Sequence, residues 1–136
     1  MKIDWLSRDL IAGPHVVLCL SDKAFQAALK HIRYLKPLTF LGTNESAASV
    51  HSLISNRGDM VCIVSLSVAD STPIEIAGIL VHEAVHVWQA YCEDIGEDSP
   101  SAEFEAYSIQ AISQRLMESY VKQTQKGAPH AKVNTR

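Results

Sequence analysis

The sequence predicts a small α+β domain, and three observations carry that prediction. Two short apolar runs rich in β-branched residues, HVVLCL at 15–20 and MVCIVSLSV at 60–68, read as buried strands. Three longer segments repeat apolar residues at helical spacing between recognisable caps. The 136 residues suffice for one core, so a single domain is expected over 1–125.

After HVVLCL, Ser21 and Asp22 offer an N-cap to KAFQAALKHIRYL, a helix that Pro37 should end. The stretch TFLGTNESAASVHSLIS is ambiguous, although Val50, Ser52 and Ile54 alternate as in a strand. SNRGD (Ser55–Asp59) carries Asn and Gly, which accept positive φ cheaply, so its flanks should form a hairpin. The next helix has Ser71 or Thr72 as cap, Pro73 at the first position, Glu75 in the first turn and Gly96 as its stop. A further helix, SAEFEAYSIQAISQRLMESYVKQ, is expected with Ser99 as cap and Pro100 at its first position. Phe104, Ile109, Ile112 and Leu116 form its core stripe, with Ala102, Ala106 and Tyr107 near them. The remainder, 126–136, has no apolar stripe and is expected to be a disordered tail.

Composition narrows the function. A net charge of −3 with twelve scattered Lys and Arg argues against a general nucleic-acid or membrane-surface role, both of which usually need a basic patch. Cys19, Cys62 and Cys92 are odd in number and form no CxxC pair, which predicts reduced, buried thiols in a cytoplasmic compartment. The opening MKIDWLSRDL lacks the apolar segment of a signal peptide. No run reaches the roughly 18 apolar residues that suggest a membrane span.

The chemistry concentrates in GILVHEAVHVWQAY (Gly78–Tyr91). On a helix, residues four apart share a face, so His82 and His86 can aim ring nitrogens at one point. Glu83 lies about 100° around the helix, near enough to act on the same centre without ligating it. Two neutral imidazoles, an open position for water and a nearby carboxylate form the kit of a hydrolytic zinc site. The bland alternative is a pair of half-buried histidines. Against it, Glu83 sits among Val81, Ala84 and Val85, where an unpaired carboxylate is costly.

Catalytic zinc usually takes a third protein ligand, and the downstream helix supplies Glu103 and Glu105. Two residues apart, they point to different sides, and the apolar stripe does not choose between them.

VHEAVHVWQ followed by EFEAY resembles the gluzincin metallopeptidases, which pair HExxH with a glutamate on a following helix. The resemblance spans about Gly58 to Gln114 and extends to the compact minigluzincins and to small phage-encoded proteins of this kind. It implies a zincin-like fold: a short twisted sheet packed against the HExxH helix, with the third-ligand helix behind it. In the family that glutamate often begins an E-x-x-A pattern; Glu103 and Ala106 match it, so Glu103 is the implied ligand and Glu105 the alternative. The implied activity is zinc-dependent hydrolysis of peptide bonds, with Zn2+ on His82, His86 and Glu103 and with Glu83 as general base. The chain departs from thermolysin-like members, which have an acidic residue where Tyr107 stands.

The family also implies an edge strand that receives extended peptide, and MVCIVSLSV is the candidate. Tyr107, with Tyr91, His15 and His51 as alternatives, could donate to the oxyanion of amide hydrolysis, although tyrosine often only caps a core. Trp88 is read as packing. The rival function is a catalytically silent zincin serving as a metal-binding interaction or assembly module. A further rival is a hydrolase of other amides or a self-processing protein.

Overall fold

A computed structural model describes residues 2–6, 13–41 and 47–125. The order is β1 (His15–Cys19), α1 (Asp22–His31), β2 (Ala48–Ile54), β3 (Met60–Leu66), α2 (Pro73–Ile95) and α3 (Ala102–Thr124). The expected tail at 126–136 lies outside the described residues.

The strands form one sheet in the order β1-β3-β2. The expected hairpin is present: β2 pairs antiparallel with β3, from Ala48 opposite Leu66 to Ile54 opposite Met60. Its turn closes through Ser55 N–H donating to the Asp59 carbonyl at 2.8 Å, with Gly58 at φ 84°. That left-handed φ is cheap only for glycine. β1 adds to the other side of β3 in parallel, His15 opposite Val61 through Cys19 opposite Ser65.

MVCIVSLSV is therefore the centre of the sheet and not an edge. Val61–Leu66 are all buried because neighbouring strands flank β3 and helices cover both its faces. Its backbone groups are engaged on both sides, so it has no free edge for a peptide. The open edge belongs to β2, beyond which no further strand lies among the described residues. Across the sheet, residues 5 and 6 touch the outer side of β1 through a Trp5–Val17 bridge and a 3.0 Å bond from Leu6 N–H to the Val16 carbonyl.

Strand alternation sends side chains to two cores. Val17, Cys19, Val61 and Ile63 meet Phe25, Ala28 and Leu29 of α1. Val16, Leu18, Cys62 and Val64 meet Leu80, Ala84 and Val87 of α2 and Leu116 of α3. The domain is thus three layers, α1 over one face of the sheet and α2 with α3 over the other. The three cysteines are free and buried as expected, and burial pushes the Cys19 thiol up to about 12.

Two helix ends differ from the sequence expectation. α1 stops at His31, well before Pro37. Arg33 adopts φ 56°, Tyr34 N–H donates to the Leu29 carbonyl and Arg33 N–H to that of Lys30. This is a Schellman closure built without the usual glycine, so its signal is missing from the sequence. α3 starts at Ala102 with Ser101 as its cap, the hydroxyl accepting from Phe104 N–H at 3.3 Å. Serine stands on both sides of Pro100, and the second one caps. α2 matches expectation: Thr72 and Glu75 form a reciprocal capping box, and Gly96 closes the helix at φ 72°.

The stripe of α3 also differs. Phe104 and Tyr107 are exposed, and serines 108, 113 and 119 are buried together with Leu116. The Ser108 and Ser113 hydroxyls donate back to the Phe104 and Ile109 carbonyls at 2.6 and 2.7 Å, and Ser119 donates to Asp4 at 2.9 Å. A serine bonded in this way is a small, satisfied side chain that suits a close interface.

His51 points from β2 toward α1, its ring 5.0 Å from that of Phe25, with a buried Nδ1 that has no partner. Burial holds its pKa below the ordinary 6.5. Above pH 6.5 the ring is neutral both folded and unfolded. As pH falls from 6.5 toward the lowered value, the unfolded chain takes up the proton first and stability is lost. Replacing His51 by Leu should therefore shrink the drop in thermal midpoint between pH 7.5 and pH 5.5; an equal drop in both proteins would show that the ring titrates normally.

Candidate functional site

Helix α2 carries the site. Ile76, Leu80, Ala84 and Val87 recur at three- and four-residue steps and seat the helix on the sheet. This seating sets the helix rotation and leaves His82, His86, Gln89 and Glu93 along one flank, beside the open edge of β2. A cleft of about 470 Å³ lies there, bounded on the strand side by Ala48, Val50 and Ser52.

The histidines converge as their spacing requires. Their Nε2 atoms are 3.1 Å apart and the ring centroids 4.8 Å. Two nitrogens on one zinc at 2.0–2.1 Å and a near-tetrahedral angle stand about 3.3 Å apart, so the pair fits such an ion. His86 Nδ1 lies 3.1 Å from Gln89 Oε1. An amide oxygen only accepts, so Nδ1 carries the proton and His86 Nε2 accepts from His82 Nε2–H. Gln89, three residues beyond His86, thus holds the ring in the tautomer whose Nε2 is unprotonated; its i,i+3 spacing was the available sequence signal.

Glu83 is 5% exposed and lines the same cleft. Burial raises its pKa above the usual carboxylate value, while His82 and His86 pull the other way. A raised carboxyl pKa suits a group that must take and return a proton near neutral pH.

The remaining expected residues lie elsewhere. Glu103 is exposed and does not line the cleft. Glu105 is half-buried and faces α2, but its carboxylate accepts from the Trp88 indole N–H at 2.9 Å. Trp88 is 2% exposed and meets the Phe104 ring edge-on, so it is packing, as expected. Among the described residues no third His, Cys, Asp or Glu joins His82 and His86 to complete a metal-holding group. Tyr107 is 66% exposed on α3 and does not line the cleft. Tyr91 packs on Trp88, His15 on Trp5 and His51 on Phe25, and none of the three lines the cleft. What sequence reasoning missed is the strand wall: β2 lay in the ambiguous stretch, and only the sheet order brings it to the histidines.

No described helix is long and apolar enough to cross a membrane. Compared with known protein families, characterised proteins and solved structures, the chain matches none.

A buried carboxylate is a strain on the fold that a neutral isostere relieves. Glu83→Gln is expected to raise the thermal midpoint of the metal-free protein at pH 7.5. A lowered midpoint would mean that the carboxylate stabilises the helix through contacts that an amide cannot make.

Proposed function

We propose that this chain is a zinc-dependent hydrolase of peptide bonds on a small zincin-like domain, with His82 and His86 as metal ligands and Glu83 as general base. The observation that carries the reading is the convergence of the two Nε2 atoms at 3.1 Å beside a buried carboxylate of raised pKa. Its support is geometric and chemical: the spacing of the two nitrogens suits one ion, and the carboxylate beside them is buried.

When bound, the ion would supply Lewis acidity to a carbonyl and lower the pKa of water. The chain's own residues do the rest. His82 and His86 offer ring nitrogens to the ion, and Gln89 accepts from Nδ1–H of His86, which leaves its Nε2 as the ligating atom. Glu83 takes a proton from the attacking water and returns it to the leaving amine. The open edge of β2 offers backbone N–H and C=O groups to an extended peptide lying in the cleft, which aligns it past the histidines.

The third ligand belongs to the proposal. Glu103 is the choice implied by the gluzincin resemblance; Glu105 is the alternative, and it faces α2 already bonded to Trp88. That only two ligating side chains converge among the described residues favours a second reading, a silent zincin that binds metal and serves in assembly.

Elemental mass spectrometry should find one zinc per chain, lost in His82→Ala and His86→Ala. Loss in Glu103→Ala or in Glu105→Ala identifies the third ligand. Glu83→Gln should keep its zinc and lose peptide hydrolysis by about a hundredfold or more. Zinc without hydrolysis in the wild type would select the silent reading, and no zinc at any added concentration would end both.

A further inference from the structure

The cleft beside the histidines does not stop there. A second hollow of about 300 Å³ adjoins it along β2 and shares Ser52, Ala90 and Glu93 with it. Together they form one groove between the open strand edge and α2, running from His82 to Asp94 and Ile54.

The charges of this groove are one-sided. Apart from Glu83, its ionisable acids and bases other than the histidines are, among the described residues, Glu93 and Asp94, and no described lysine or arginine lines it. Both carboxylates are exposed, so they can meet a ligand without first being uncovered. Burial, opposed by the Ser52 hydrogen bond and reinforced by Asp94, pushes the thiol of the buried Cys62 up to about 11.

Glu93 follows His86 by seven residues and returns to nearly the same side of α2. Seven residues of helix rise about 10 Å, which an extended peptide covers in about three residues. The strand edge aligns the peptide, the histidines mark the reacting bond, and the two carboxylates lie about three positions away. We propose that Glu93 and Asp94 are specificity-determining residues that select peptides carrying lysine or arginine about three residues from the bond at the histidines. This rests on the peptide-hydrolase reading of the site. Exposed ion pairs are individually weak, so the selection is a preference of about five-fold for two carboxylates acting together.

The test separates the preference from the catalysis. Fluorescein-labelled Ala/Ser nonapeptides with one Lys, or one Glu, three positions to either side of the central bond are titrated by anisotropy into zinc-loaded Glu83→Gln protein, which leaves them intact. One of the Lys peptides should bind about five-fold more tightly than its Glu counterpart, and Glu93→Lys with Asp94→Lys should reverse the order. Circular dichroism of that double variant checks its fold, and the milder Glu93→Gln with Asp94→Asn pair should abolish the preference if the reversal disturbs folding. Equal binding of Lys and Glu peptides, a Lys preference that survives both double variants, or no binding at all would overturn the proposal. Hydrolysis by the wild type decides the other question: equal cleavage of Lys and Glu peptides sinks the preference and leaves the hydrolase, whereas a preferred Lys peptide that is never cleaved sinks the hydrolase and leaves the groove.

Discussion

The seating of α2 on the sheet is the constraint from which the site follows. Burying Ile76, Leu80, Ala84 and Val87 against Val16, Leu18 and Val64 leaves the helix one rotation about its axis. A helix residue turns by about 100°, so that rotation assigns every other side chain its direction. His82 and His86 fall on the flank facing the β2 edge, and Glu83 falls between flank and core, where it is buried. Turning the helix to bury the histidines would expose the aliphatic stripe. Core packing and site geometry are therefore set by one event.

The electrostatics follow from that placement. Glu83 is taken out of water because the helix presses it toward the sheet, and the cost of holding a charge there raises its pKa. The histidines lie outside the core, open to the cleft, and Gln89 settles which nitrogen of His86 bears the proton. A carboxyl and two imidazoles within five consecutive residues thus stand in different dielectrics. A site that must both accept and return a proton benefits from that separation.

Helix α3 shows how hydropathy misleads at a close interface. Its aromatic residues Phe104 and Tyr107 suggested the buried side, yet serines 108, 113 and 119 are buried. Each hydroxyl has a partner, which removes most of the penalty for burying a polar atom. The resulting face puts Glu105 toward α2 and Glu103 toward solvent, a choice the apolar pattern could not make. Trp88 then takes up the Glu105 carboxylate, an interaction between residues 17 apart that no periodicity announces.

By itself the sequence determined what depends on local rules. The hairpin at 55–59, the capped α2 with its glycine stop, the buried thiols and the pairing of His82 with His86 all follow from turn chemistry, capping and a 3.6-residue period, which act within a few residues. Tertiary structure alone decided what depends on distant segments meeting. Which strand is central, which edge is open, which face of α3 is buried and what stands beside the histidines are settled by the packing of three layers. The family resemblance made β3 the candidate edge, and nothing near it in sequence reveals that β1, more than 40 residues earlier, completes its other side. Strand order is a long-range property, and a short window of residues carries no record of it.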